Sequence, residues 1–281
     1  KRLGELISIQ YQGKELIESG PKLNLWRAPL ANETDAWTIG GSFLTNRQPG
    51  MGNGASNNWF VAGLDRIKIV NDHFSSVQNN DVSVSVTIQN HADGADHWTG
   101  FSDDYNYTIS TDGEMVIHHK ITPHGFMPAW LPKIGTQWLL NKELTQVKWF
   151  GRGPFENYPD RKTGAKTAVY QTTVEQMVEP YLKPQDWGNR CDNRWVEIET
   201  TDGFGLHFSG DQLFHFSAHP YDTDHVTRAQ YPYQMQKANH TVFNFDYATS
   251  GVGCTAISVL NEYRVLPDVY HFTTKVRPFK K

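Results

Sequence analysis

Eight short runs in which apolar and polar residues alternate constrain this chain more than anything else in it. They are DVSVSVTIQ (81–89), NYTIST (106–111), MVIHHKIT (115–122), TQVKWF (145–150), WVEIET (195–200), GLHFSG (205–210), TVFNFDY (241–247) and YHFTTKVR (270–277). Successive side chains of a strand point to opposite faces, so such alternation describes ribbons with one buried and one wet face. Val, Ile and Thr fill the runs, and β-branched side chains pack well on a pleated surface. Asp112-Gly113 and Asp202-Gly203 each stand between two runs, where a tight hairpin turn belongs. Helical periodicity is confined to VEQMVEPY (174–181) and TDHVTRAQY (223–231), a turn or two each. The reading is all-β: two large antiparallel sheets packed face to face in one domain, residues 1–281. A Gly-, Asn- and Ser-rich stretch at about 31–59 carries almost no strand signal and reads as a long loop. Loops of that length in a compact domain are usually functional or disordered.

Composition excludes several partners. The 26 basic and 30 acidic residues are interspersed and give a net charge of −4, with no basic patch for nucleic acid or anionic membrane. The apolar runs are far too short to span a bilayer. The start, KRLGELISIQYQGKELI, alternates polar and apolar residues and has no signal-peptide pattern. A soluble, bacterial-type protein is expected, cytoplasmic or periplasmic, with the compartment open. Two cysteines, Cys191 and Cys254, make no disulfide framework or metal spacing, and both are expected to be unpaired. Among twelve histidines, the adjacent His118 and His119 would face opposite sides of a strand and so cannot share an ion. No phosphate-binding Gly-rich loop is present. No cofactor is expected in this chain.

Residues 149–195 break the strand pattern. Gly151, Gly153, Pro154, Pro159, Pro184 and Gly188 bend the backbone repeatedly among Trp, Tyr, Asn, Arg and carboxylates. Flat rings cover the C–H face of a pyranose, and planar polar groups read its hydroxyls. Buried turns also need Gly, Pro and satisfied polar groups, so two readings stand: a sugar-facing surface, or residues that hold the fold.

The order of motifs resembles the C-terminal domain of family 2 glycoside hydrolases of the β-galactosidase type. The residues that carry it are Leu25-Trp26-Arg27-Ala28-Pro29, Gly151-Arg152-Gly153-Pro154 and Glu156-Asn157-Tyr158-Pro159-Asp160-Arg161. They continue with Tyr181, Pro184-Gln185, Gly188-Asn189-Arg190, Asp192, Arg194-Trp195, Gly205-Leu206, Phe216-Ser217-Ala218, Gly251-Val252-Gly253 and Tyr263. The resemblance runs from about Asn24 to the C-terminus and implies a supersandwich similar to the galactose mutarotase fold. It implies an upstream catalytic barrel and other domains of the same polypeptide as partners, a β-galactoside-type sugar, and room for a homo-oligomeric parent.

Retaining glycosidases use two carboxyls about 5–5.5 Å apart. The resemblance puts that pair in the barrel, where any divalent metal of the parent enzyme would also lie. This chain has neither barrel periodicity nor those motifs. No catalytic residue is assigned in it, and the chain alone is expected to be inactive. Arg152, Glu156, Asn157, Asp160 and Arg161 are read as a structural motif, the carboxylates accepting from backbone amides or arginines. Family members commonly place a sugar-stacking Trp after the Gly-x-Gly turn; here Cys254-Thr255-Ala256-Ile257 follows, with no Trp. Trp37 and Trp187 are the candidates to replace it. Asn32 is the pocket-facing residue carried over from the resemblance, and Glu33 and Asp35 are candidates for its lost carboxylate. Asn189 and Arg190 complete the substrate-binding expectation. Two other functions fit a sheet protein: an aldose mutarotase-like enzyme pairing Glu156 with His215 or His219, and a free-standing carbohydrate-binding module.

Overall fold

The computed structural model describes residues 4–34, 54–95, 98–254 and 258–281. Fourteen strands are found among the described residues: β1 (Gln10–Tyr11), β2 (Lys14–Glu15), β3 (Ile17–Asn24), β4 (Lys68–Asn80), β5 (Ser83–Asp93), β6 (Thr99–Ser110) and β7 (Met115–Gly125), then β8 (Lys133–Asn141), β9 (Gln146–Gly153), β10 (Lys166–Thr173), β11 (Arg190–Glu199), β12 (Phe204–Tyr221), β13 (Lys237–Thr249) and β14 (Tyr270–Lys280). Three short helices accompany them: α1 (Ala31–Thr34), α2 (Ser56–Val61) and α3 (Thr223–Arg228). The expected all-β antiparallel class is the one observed. The ends of the expected 31–59 loop are helical, since α1 and α2 occupy them.

All strands but β1 and β2 belong to one branched sheet, and β12 is the branch point. Its first part, from Phe204 to Gly210, pairs with β14, and its later part, from His215, pairs with β13. β11 runs along its other edge, with register shifts between Arg190 and Trp195. One arm continues β14-β7-β6-β5-β4, the other β13-β8-β3, and β11-β9-β10 closes the third side. The Asp112-Gly113 and Asp202-Gly203 pairs do turn β6 into β7 and β11 into β12.

Alternation explains the packing. In β9 every second residue is buried, which sends Val147 and Trp149 inward. β7 sends Met115, Ile117, His119 and Ile121 inward and His118 and Lys120 outward. The arms meet in one core containing Leu16, Ile17, Trp138, Phe208, Phe216, Phe243 and Val276. A second core gathers Trp26, Trp59, Trp130, Phe101 and Phe272 beneath α2. Burying each such side chain contributes about 1.5–3 kcal/mol relative to leaving it in water. Cys191 is buried and Cys254 exposed, and neither is bridged.

Candidate functional site

Four motifs, up to 224 residues apart in the chain, are tied together by hydrogen bonds. The chain leaves β3 through Leu25-Trp26-Arg27-Ala28-Pro29 and enters α1. Arg27 carries a charge into the apolar string LNLWRAPL and must find a counter-charge. It finds Glu33, six residues on, at 2.7 Å (Nη2 to Oε1) and 3.2 Å (Nη1 to Oε2), with both side chains buried. Glu33 also accepts the Leu30 amide at 2.8 Å, and Arg27 donates to the Gly251 carbonyl at 3.2 Å. Burial pushes the Glu33 carboxyl up, with Arg27 and the Leu30 amide pulling it back.

Asn32 ties α1, and Asp160 ties the Glu156–Arg161 turn, to the Gly-x-Gly turn. Asn32 Nδ2 donates to the Val252 carbonyl at 2.7 Å and to the Cys254 carbonyl at 3.3 Å. From the other side the Asp160 carboxylate accepts the amides of Val252 (2.9 and 3.0 Å) and Gly253 (2.7 Å). A side chain at Gly251 would lie 2.5 Å from that carboxylate, so the first glycine of the turn is required by this close approach. Gln185 Oε1 accepts the Ala31 amide at 2.9 Å, and the Asp186 amide donates to the Ala28 carbonyl at 3.0 Å. Leu30, Tyr158 and Val252 form a small apolar cluster among these polar contacts.

The Glu156–Arg161 turn builds the adjoining half. Glu156 Oε1 accepts from Arg161 and from the Tyr181 hydroxyl, and Oε2 accepts the Gly188 amide at 3.0 Å. Gly188 takes φ +77, a conformation that suits glycine. Asn157 binds the start of β11 from both directions. Its Oδ1 accepts the Cys191 amide at 2.9 Å, while its carbonyl accepts Asn189 Nδ2 at 2.7 Å. Arg152 bonds Asp192 and the carbonyls of Lys162 (3.2 Å) and Ala165 (3.0 Å). The carboxylates thus take backbone amides and arginines as partners, the role expected for Glu156 and Asp160. Arg152 serves Asp192 instead of either of them.

Trp187 is buried at 2% exposure, edge-on to His219 at 4.9 Å and to Tyr221 at 5.9 Å between ring centres. Neither ring face is open to solvent in this chain, which leaves no room there for a stacked sugar. Glu33 is equally enclosed, its two oxygens taken by Arg27 and the Leu30 amide. Asp35 and Trp37 lie outside the described residues. Asn32, Glu33 and Asp160 are brought together, as are Glu156, Asn157, Asn189 and Arg190. Glu156 makes no hydrogen bond to His215 or His219. His215 lies 3.4 Å from Cys191 Sγ and His219 bonds Ser217 at 2.9 Å. Burial lowers the two histidines to about 4 and about 3, so they are neutral at pH 7.

Sequence reasoning missed the buried charges beneath the site. Lys133 pairs with Asp246 at 2.8 Å, both enclosed, and the Tyr158 hydroxyl donates to Asp186 at 3.0 Å. Burial raises Asp246 to about 6 against the pull of Lys133, and raises Asp186 against Lys133 and Arg27. The signal was available for Arg27, a charge inside an apolar string. Lys133 and Asp246 sit on different strands and leave no local trace. Among the described residues no group of three or more His, Cys, Asp or Glu is arranged to hold a metal ion. No helix among them is long and apolar enough to cross a membrane.

The geometry can be set beside known proteins. Residues 1–276 match the family model described as the β-galactosidase small chain. A β-galactosidase of Priestia megaterium is 32% identical over 255 residues, 90% of this chain and 22% of that protein. One from Vibrio vulnificus is 30% identical over 285 residues, 98% of this chain and 25% of that protein. The chain therefore spans about a quarter of the length of the curated relatives it matches. Among solved structures, a GalM/aldose epimerase homologue from C. elegans is similar, with a TM-score of 0.45 at 13% identity, covering 95% of this chain and 88% of that one. The match over nearly every residue, with the WRAP, ENYPDR and GVG motifs gathered at one place, establishes that this chain belongs to the β-galactosidase small-chain family.

Proposed function

We propose that this chain is the part of a β-galactosidase-type glycoside hydrolase that packs on the catalytic domain and helps complete its sugar pocket. The reaction is hydrolysis of terminal β-D-galactosides, and the catalytic carboxylates belong to another domain of the polypeptide. One observation carries the reading: the three carboxylates of α1 and the ENYPDR motif are engaged in holding the chain's own groups. Glu156, Asp160 and Glu33 accept from arginines, a tyrosine and main-chain amides. A general acid or nucleophile needs an oxygen that can reach the substrate.

What the cluster offers is geometry. Asn32 locks α1 to the Gly251–Gly253 turn and Asp160 holds that turn from the Glu156–Arg161 side, so the segments that leave them start from fixed points. Rigid rim residues orient a sugar and exclude water at the reacting centre of the barrel, which strengthens electrostatics there. Any divalent metal would sit in that catalytic domain.

The test uses the full-length parent polypeptide and an aryl β-galactoside. Asn32→Ala frees the turn from α1 without touching a catalytic carboxylate. A raised KM, with kcat lowered less, is expected. Unchanged kinetics for Asn32→Ala and Asp160→Asn alike would remove the pocket-shaping role.

A further inference from the structure

A cleft lies where three segments distant in sequence meet: the end of β3, the short turn at Leu64–Arg66 and the first turn of α3. None of Asn32, Glu33, Glu156, Asn157 and Asp160 lines it. Its volume is about 360 Å³, inside the range of about 300–1,000 Å³ that small-molecule sites occupy. Strand pairing builds one wall. Lys22 of β3 lies opposite Gln137 of β8 in the ladder, and directly opposite residues of an antiparallel pair share a face. Two bonds hold α3 against this wall: Gln137 Nε2 donates to Thr223 Oγ1 at 3.4 Å, and Trp26 Nε1 to Thr227 Oγ1 at 3.1 Å. Gln137 Nε2 also donates to Asn244 Oδ1 at 3.1 Å, so the amide is fixed while its Oε1 takes no hydrogen bond among the described residues.

The lining mixes donors, acceptors and apolar groups. Lys22 and His225 are exposed, and their side chains make no hydrogen bond or ion pair among the described residues. Three carboxylates line the same cleft, each with a partner of its own. Asp224 Oδ1 accepts from Arg228 at 2.7 Å, Asp222 Oδ1 bonds His240 at 2.9 Å, and Asp65 Oδ2 accepts from Arg66 at 3.0 Å. Oδ2 of Asp222 and of Asp224 remains open to a further donor. Leu23, Leu25, Trp26 and Leu64 supply the apolar part of the lining.

Charge selects the occupant. A metal ion would have to draw carboxylates away from Arg66, His240 and Arg228, and would meet the Lys22 ammonium. An anion would meet three carboxylates. A neutral ring with hydroxyls at its edge and C–H groups on its faces uses the donors, the acceptors and the apolar lining together. We propose that this cleft is a binding site for a neutral pyranose, whose hydroxyls donate to Asp224 Oδ2 and Gln137 Oε1 and accept from Lys22 Nζ. The site goes beyond the pocket-shaping role above and does not depend on it.

The test is a titration of the 281-residue chain with D-galactose and with D-glucose, followed through its backbone amide NMR shifts. Saturable shifts at Lys22–Trp26, Leu64–Ile67, Gln137 and Asp222–His225 are expected with at least one of the two sugars. Lys22→Ala and Asp224→Ala, both at exposed positions, should each weaken that binding about tenfold, the worth of one charge-assisted hydrogen bond. No saturable shift with either sugar, shifts confined to other residues, or binding that both variants leave unchanged would overturn the inference. Calcium chloride is titrated separately, and a response to it with none to either sugar would mean a cation site and would equally overturn it. Since no turnover is measured, a failure of the catalytic reading would leave this result standing.

Discussion

Two enclosed polar regions of this molecule are built on opposite terms. Around the Glu156–Arg161 turn, each carboxylate is met by donors: Glu33 by Arg27 and an amide, Asp160 by two amides, Glu156 by Arg161, Tyr181 and an amide. On the far arm, β6 and β7 carry a column of polar groups with few partners. The carboxyl of Asp103, the hydroxyls of Tyr105 and Tyr107, and Nδ1 of His119 are buried there, and the Asp103 carboxyl has only the neutral Tyr105 and Asn90 side chains to pull against its burial. The Tyr105 and Tyr107 rings lie 6.1 Å apart, and His119 packs edge-on to Tyr105 at 4.9 Å. Burial raises Asp103 to about 7 and lowers His119 to about 3. The first region keeps charge by surrounding it, and the second shifts its groups toward neutrality. Charge is retained where it fixes backbone between distant motifs, and shed where it only fills a sheet face.

That contrast is easiest to break at its strongest point. Glu33→Ala leaves Arg27 buried and alone, and should cost about 3–5 kcal/mol in denaturant unfolding. Replacing Arg27 and Glu33 together by Met and Leu should recover most of the loss, because neither charge is then stranded. A small loss for Glu33→Ala alone would show that water reaches the pair.

Asp103 gives the opposite sign. Its folded value lies above that of an unfolded aspartate, so the native state holds the proton longer. The stability this contributes is full below about pH 4 and disappears as pH rises to about 7. The loss amounts to about 4 kcal/mol at most. Asp103→Asn should flatten that slope and be the more stable protein at pH 8. Parallel stability profiles for the two proteins between pH 4 and pH 8 would contradict the assignment.

Asp160→Ala should cost about 2–3 kcal/mol, since it orphans the Val252 and Gly253 amides together. Hydrogen exchange at those two amides should rise with it, and protection that survives would show another acceptor. At the bottom of the scale, Arg228→Ala removes an exposed pair with Asp224 at 2.7 Å. It should change stability by no more than about 0.5 kcal/mol, a reference against which the buried effects are read.

The sequence disclosed the half-buried strands because alternation is a local property. All eight alternating runs fall largely within strands of the sheet. β8 was missed because KIGTQWLLN is buried on both faces along much of its length, which erases the alternation. β4 and β10 were missed for the reverse reason: KIVNDHFSSVQNN and KTAVYQTT form outer strands in which no residue is buried, so the alternation of a half-buried strand is missing. Their partners, not their own composition, make them strands. In the site, the roles of Glu156 and Asp160 were legible because Gly and Pro around them announce a turn. Burial of Trp187 was not, since a Trp between Asp and Gly reads equally well as platform or as core. Lys133 with Asp246 lay beyond local reading altogether, 113 positions apart.

The central claim is that this chain shapes a pocket whose reacting groups belong to another domain. Steady-state hydrolysis of an aryl β-D-galactoside by the purified 281-residue chain, measured beside the full-length parent protein, tests it most directly. Turnover by the full-length protein with none above buffer for the chain alone is the predicted result. Sustained turnover by the chain alone, abolished by Glu156→Gln, would contradict it.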